Sequence, residues 1–389
     1  MRLRRCHALL IEPRESRELD LAGVLAGQAR LRSRIDWMAL PAHRDEPVPL
    51  SLAELAALGD VPSGEWSERA TLVGRHGETV VTRLLESGLL ECESAPDAAD
   101  AAVREAHWHR LAAVAHRHLR WLDADTRELQ ALLDQLENLP PMLERLGAPP
   151  PPVQARSGED RRLALPDAAD TALDALLAQR VTCRNFDPAR ALPLPTLATM
   201  LKRVYGARGG GEVTGVPLLK KGVPSAGGLH PVDAWLLVRQ VDGLAPGLYH
   251  YHPPAHALEP VKALEAAEAD ALALRFVAGQ TWFAGAPVQV ILAARFRRNF
   301  WKYRGHAKAY RAVILDAGHL SQAQYLAATE LGLAAFITAA INEGEIERTL
   351  GLEPMREGVL AVTGFGYRGR DMVDLEFDPL HAAWPPVPG

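Results

Sequence analysis

The sequence predicts an α+β sandwich, one central sheet with helices over it, tied by a stiff linker to a smaller module on its N-terminal side. Three observations carry this. Beyond residue 166, apolar residues recur alternately at helical and strand spacing. Val288-Gln289-Val290-Ile291-Leu292-Ala293 is a nearly unbroken apolar run, the pattern of a strand buried on both faces. Pro140-Pro141 and Pro149 through Pro152, followed by Gln154-Ala155-Arg156-Ser157-Gly158-Glu159-Asp160, mark a stiff polar connection. With 389 residues the chain has room for two or three domains, and it divides here into 1–95, 96–165 and 166–389.

Taken in order, Met1 to Leu10 is basic but meets Glu12 and Pro13 too soon for a signal peptide, and no apolar run long enough to span a membrane follows. A cytoplasmic protein without a membrane partner is expected. An apolar content of 48% with 23% charged residues is that of an ordinary globular chain. A net charge of -5 argues against a nucleic-acid binder driven by phosphate contacts. Cys6, Cys92 and Cys183 lie far apart without ligand spacing, so neither a disulfide framework nor a zinc site is expected.

Ser51 and Glu54 form a capping box before Leu52, Leu55, Ala56 and Leu58, and Gly59-Asp60 ends that helix. Ala70 to Leu85 has the spacing of a second helix, weakened by Gly74 and Gly77, and Glu86-Ser87-Gly88-Leu89-Leu90 turns into a strand. Residues 97–147 read as helical. Their His107, His109, His116 and His118 supply no i, i+4 pair, so no metal site is expected; packing against the larger domain or its dimer mate is the expectation. Asp170 caps a helix through Gln179 carrying Leu173, Leu176 and Leu177. Pro195 to Tyr205 is a helix with Leu197, Met200, Leu201 and Val204 inward, and Gly209-Gly210-Gly211 a flexible loop. Ala234 to Val238 is a strand, and Tyr249-His250-Tyr251 pairs with His256 to Pro260 as a hairpin. Ile314 to Leu333 is a long helix with Leu320, Ala323, Gln324, Ala327 and Ala328 on a close-packing face, and Val359 to Thr363 is the last central strand.

Three stretches carry chemistry. In Arg180-Val181-Thr182-Cys183-Arg184-Asn185-Phe186 an extended backbone puts Arg180, Thr182 and Arg184 on one side, two guanidinium forks and a hydroxyl suited to a phosphate. A solvated helix terminus complementing the dipole accounts for the same residues. In Pro224-Ser225-Ala226-Gly227-Gly228-Leu229-His230-Pro231 the glycines let a backbone pass close to a flat ligand, or simply make a tight turn. Trp301-Lys302-Tyr303 is either a catalytic pair, a surface basic-aromatic cluster, or a grip on an acidic peptide.

Together with Gly247-Leu248-Tyr249-His250-Tyr251, Leu350-Gly351-Leu352 and Val359 through Gly366, these stretches resemble the FMN-dependent nitroreductase fold, and within it the SagB-type dehydrogenases that oxidise thiazolines and oxazolines in ribosomally made peptides. The resemblance covers about residues 166–380. It implies a nitroreductase-like FMN domain at 166–389, after a winged-helix-like module at 1–95 and a helical, Pro-rich segment at 96–165. The winged-helix likeness rests on the helix ending Leu84-Leu85-Glu86-Ser87-Gly88-Leu89-Leu90; such modules clamp leader peptides by strand addition in peptide-modifying enzymes, a merely structural role being the alternative. The resemblance further implies that Pro224, Ser225, Ala226 and Gly227 line FMN across a homodimer interface. Thr338, Ala339 and Ala340 would offer amides at the reactive ring edge, Arg368 and Arg370 a second pair of phosphate ligands, and Gln280 a polar ring contact. Lys302 and Tyr303 would be the catalytic pair of an azoline oxidase. Aromatising a thiazoline removes a proton from one ring carbon and a hydride from its neighbour, so a base is needed. A lysine serves where burial and neighbouring cations lower its pKa, and Arg297, Arg298 and Arg304 are the nearest cations in sequence. The implied partners are a precursor peptide and a cyclising enzyme. An NAD(P)H-dependent reductase of nitro compounds or quinones, and a non-catalytic flavin or peptide scaffold, are the competing functions.

Overall fold

The computed structural model describes residues 1–19, 31–126, 143–144 and 147–385. The helix expected to run on past residue 126, with Pro140-Pro141, lies outside the described residues. The fold is α+β. Its centre is a six-stranded sheet in the order Ala257–Ala263, Gly247–His252, Val232–Val238, Val288–Arg295, Glu357–Gly366, Ala334–Thr338. Each neighbouring pair is antiparallel. Val288–Arg295 is buried along nearly its whole length, as its composition requires. Val288, Val290, Leu292 and Ala294 enter one core and Ile291 and Ala293 the other, the period-two alternation of a strand covered on both faces.

Helices Leu194–Val204 and Ala309–Glu330 cover the first face, and Ala266–Phe276, Thr281–Ala284 and Glu343–Leu350 the second. Leu197, Met200, Leu201 and Val204 point inward as their spacing predicts. On the long helix, Gln324 is fully buried; its carboxamide accepts from Tyr205 Oη at 2.6 Å and donates to Gly364 O at 3.1 Å, locking helix to sheet.

Two expectations fail for backbone reasons. Gly209-Gly210-Gly211 is no loop but part of strand Ala207–Val213, paired with Val216–Lys221. Thr214 (φ 49°) and Gly215 (φ 81°) make the two-residue, positive-φ turn that matches strand twist, and paired amides hold the glycines extended. The helix expected over Ala70–Leu85 is two, Arg69–His76 and Glu78–Glu86, broken where Gly77 takes φ 86°.

At the N-terminal side, strand Arg2–Arg5 lies between Ser67–Glu68 and Leu90–Cys92. Leu3, Leu50, Leu58, Leu72, Val81, Leu84 and Leu89 close a core of their own. The Ser51–Glu54 capping box is present on helix Leu52–Asp60. Strands Leu9–Leu19 and Leu31–Pro41, which the charged sequence did not announce, pair as a long hairpin. Helices Ala98–Glu105 and Arg110–His118 join the large core instead: Trp108 Nε1 donates to Met355 O at 2.8 Å, and His116 stacks on Trp108. Burial drives the His116 pKa down to about 3, so its ring packs neutral. Arg120 bridges Asp45 and Glu347 at 3.3 and 3.1 Å, joining the small module to the sheet domain. Among the described residues all three cysteines are free, no cluster could hold a metal, and no helix is long and apolar enough to cross a membrane.

Candidate active site

Thr171, rather than Asp170, begins the helix Ala172–Gln179: its extended backbone (φ -119°) lets amide and hydroxyl both donate to Asp174. The chain leaves that helix extended and runs along the sheet edge, Thr182 bridging parallel to Ala335. Val181 and Cys183 are buried while Arg180, Thr182 and Arg184 are half-buried, the alternation an extended segment dictates. The three side chains share a side, but only Arg180 and Thr182 share a partner. Thr182 Oγ1 lies 3.0 Å from Tyr325 Oη, and the Arg180 guanidinium sits 5.4 Å from the Tyr325 ring centre. Arg184 Nη1 instead donates to Leu375 O at 2.7 Å.

That turn toward the C-terminal segment has a cause in Glu376, whose side chain is wholly buried. Glu376 Oε1 accepts from the amides of Arg184 and Asn185 at 2.7 and 3.0 Å and from Asn185 Nδ2 at 2.8 Å. Its Oε2 accepts from Trp384 Nε1 at 2.8 Å and pairs with Arg368. Arg368 is therefore neutralised by a carboxylate of its own chain. Arg370 remains exposed, and with Arg184 it lines a cleft of about 600 Å³ beside Trp282 and Asp371.

A second group gathers around the glycine-rich loop. Gly227 has φ 64°, and a Cβ there would lie 2.9 Å from both Lys302 Nζ and Tyr303 Oη, so the bare backbone is what admits the two ends. Ser225 Oγ donates to Asp316 Oδ2 at 2.5 Å, Ala226 N to Asp316 Oδ1 at 3.2 Å, and His230 N to Ser225 Oγ at 2.9 Å. Asp316 was missed by sequence reasoning. It is buried, and burial raises its pKa against those hydrogen bonds. The available signal was its place four and eight residues before Leu320 and Gln324, an acid in the apolar stripe of a helix. Lys302 is exposed, so the burial expected to tune it is not supplied within one chain.

Gly228, at φ 68° with open space around it, provides a control. Gly227→Ala and Gly228→Ala should share the ~1–2 kcal/mol cost of a left-handed non-glycine residue. Gly227→Ala should additionally displace Lys302 and Tyr303. Thermal melts giving equal Tm losses for the two variants would show that the contact with Lys302 and Tyr303 contributes nothing.

The third group is Gln280, Thr338 and Ala340. Gln280 Nε2 donates to Ala340 O at 2.6 Å, Thr338 Oγ1 to Gln280 Oε1 at 3.2 Å, and Ala340 N to Thr338 Oγ1 at 3.1 Å. The Thr338 hydroxyl thus occupies the Ala340 amide, while Ala339 is exposed. The long helix spaces the first two groups: Asp316 and Tyr325 are nine residues apart on it, a rise of ~13 Å.

A model described as the Nitroreductase family matches residues 177–367. The nitroreductase-family protein MJ1384 of Methanocaldococcus jannaschii is 32% identical over 193 residues, covering 50% of this chain and 91% of that one. The chain belongs to the nitroreductase family. Two further relatives of this chain carry names from peptide processing. The trifolitoxin-processing protein TfxB of Rhizobium leguminosarum bv. trifolii is 32% identical over 151 residues, 37% of this chain and 38% of that protein. The microcin B17-processing protein McbC of Escherichia coli is 25% identical over 187 residues, 47% of this chain and 65% of that protein. The chain thus spans well under half of TfxB and about two thirds of McbC.

Proposed function

We propose that this member of the nitroreductase family is an FMN-dependent dehydrogenase that oxidises a ribosomally made precursor peptide, a thiazoline or oxazoline ring or a related two-electron site, and works as a cytoplasmic homodimer. The observation that carries the reading is the convergence of Lys302 Nζ and Tyr303 Oη on the Gly227 backbone of a loop pinned by Asp316. A peptide dehydrogenase needs such a proton acceptor beside a flat-ligand surface; a nitro or quinone reductase does not. The names of TfxB and McbC support the same reading. NAD(P)H-dependent nitro or quinone reduction remains the second reading, favoured by the likeness to MJ1384 along nearly all of that protein.

The residues fit FMN in their donor chemistry. Arg180 has no carboxylate partner among the described residues, and Thr182, at the same Tyr325, adds a hydroxyl, donors suited to a phosphate; Arg370, likewise without one, stands in the cleft with Arg184. When bound, the flavin supplies the two-electron acceptor. Lys302 takes the proton from the substrate carbon, Tyr303 orients it, and Asp316 keeps Ser225 and Ala226 in place. The dimer is supported by apolar side chains left bare: Leu173 and Leu177 are 55% and 45% exposed on a helix packed against the long one, whose Ile314 and Leu315 are 48% and 58% exposed.

Purified protein is expected to be yellow, to release FMN rather than FAD on denaturation, and to scatter light as a dimer. Arg180→Ala should weaken FMN on the order of ten- to a hundred-fold, the worth of one charge-assisted contact. Colourless protein that no flavin reconstitutes ends the reading, and a fully active monomer ends its two-subunit part.

A further inference from the structure

Two clefts flank the segment that carries Lys302 and Tyr303. One, of about 490 Å³, is walled by Arg295, Arg297, Arg298, Arg356 and Trp301 and by the turn at Gly215. The other, of about 510 Å³, is walled by His7, Arg104, His107, Arg110 and Arg304. They are neighbours: Gly305 N donates to His107 O at 2.9 Å, and Arg304 Nε to Trp301 O at 3.2 Å. Arg304 and Arg297, one from each cleft, both help to hold the His107 pKa below its usual value, after burial.

The charges in these clefts are cancelled only in part, although Glu105 and Glu357 also line the first of them. Arg295 is paired with Asp233, Arg356 with Glu105, and Arg104 with Asp100 and Glu91. Arg298 donates to the carbonyl oxygens of Leu229 and Pro217, and Arg304 to that of Trp301, contacts that fix each fork without neutralising it. Arg297 and Arg110 are exposed and have no carboxylate partner among the described residues. A chain of net charge -5 thus concentrates unpaired cations on the two sides of one loop. Trp301, 47% exposed at the rim, adds one ring face.

We propose that the two clefts form one docking strip for an acidic stretch of a polypeptide, whose carboxylates meet Arg297, Arg298, Arg304 and Arg110 while an apolar side chain rests on Trp301. The identity of that polypeptide as the substrate's own acidic segment rests on the peptide-dehydrogenase reading; the strip itself does not. Held there, the segment delivers the residue beside it to Lys302. Single-stranded nucleic acid is the less suitable ligand, because it wants a row of aromatic platforms and the strip exposes one.

The test is fluorescence anisotropy of a labelled Glu-rich peptide, a Lys-rich peptide and a single-stranded oligonucleotide on the flavin-loaded full chain. Only the Glu-rich peptide should bind, more weakly at high salt. Arg297→Glu and Arg304→Glu should each weaken it ~10-fold or more. Lys308→Glu, an exposed lysine outside both clefts, should not, and flavin content should be unchanged in all three. Equal affinity in the arginine variants overturns the strip, as does an oligonucleotide that binds as tightly. Failure of the two readings is separable. A chain that oxidises no peptide yet loses Glu-peptide affinity in these variants keeps the strip and loses the dehydrogenase. Lys302-dependent oxidation with Glu-peptide affinity untouched by Arg297→Glu and Arg304→Glu does the reverse.

Discussion

Lys302→Ala is expected to lower peptide dehydrogenation by ~10²–10⁴, the usual worth of a positioned general base, while leaving fold and FMN content as in the wild type. The separation of effects follows from placement. Lys302 Nζ meets the glycine loop and the Tyr303 ring, so its loss removes the proposed base and leaves the proposed phosphate donors Arg180 and Thr182, which gather at Tyr325, in place. Loss of the two-hydrogen mass decrease in the peptide, with dithionite reduction of the flavin unchanged, is the pattern sought. Fast NAD(P)H-driven nitro reduction that survives the substitution would make the enzyme an ordinary nitroreductase. Leader-peptide binding with no oxidation of any peptide would leave a scaffold.

The second large effect concerns Glu376. Glu376→Ala deletes a fully buried carboxylate and takes from the Arg368 guanidinium, 17% exposed, its salt-bridge partner, leaving Asp378 as the carboxylate still acting on it. Removing one partner of a buried pair costs about 3–5 kcal/mol, most of it from the charge left behind. Asn185→Ala should cost less, ~1–3 kcal/mol, because it removes the bonds from Val373 N and Asp374 N, both at 2.8 Å, and the one its Nδ2 donates to Glu376, yet leaves the ion pair with Arg368 in place. In a chain of several packed units the loss will surface as local opening of residues 371–385 rather than as one melt. Limited proteolysis read by mass spectrometry should therefore find new cuts there in Glu376→Ala. A C-terminal segment as protected as in the wild type would mean that the pair with Arg368 does not anchor it.

Much of the architecture could be read before any coordinates. The apolar run at Val288, the inward set Leu197, Met200, Leu201 and Val204, and the Ser51–Glu54 box are local patterns with one cheap physical solution each. The errors came where side chains do not decide. Backbone pairing holds Gly209-Gly210-Gly211 in a hairpin, and the strands Leu9–Leu19 and Leu31–Pro41 were hidden by charges that a solvated strand tolerates. In the site, residue types were legible but groupings were not. Nothing in the sequence says that Arg184 turns to Leu375 while Thr182 turns to Tyr325, since each choice depends on a segment more than a hundred residues away. Asp316 left a trace as an acid in an apolar stripe; Glu376 left none, standing in a polar segment where one more carboxylate is unremarkable.

The knot around Glu376 also sets an order in time. Asn185 and its acceptor are 191 positions apart. At a synthesis rate of ~5–20 residues per second the later one arrives roughly ten to forty seconds after the earlier. In that interval the amides of Arg184 and Asn185 have no carboxylate to accept from them, although the Val232 and Gly247 strands that follow them can already pair. The stretch that begins the family-matched region is thus among the last parts of it to be completed. A nascent chain interrupted beyond Gly366 would carry all six strands of the sheet and still have an open edge at Arg184, a site for a chaperone or for another unfinished copy to engage.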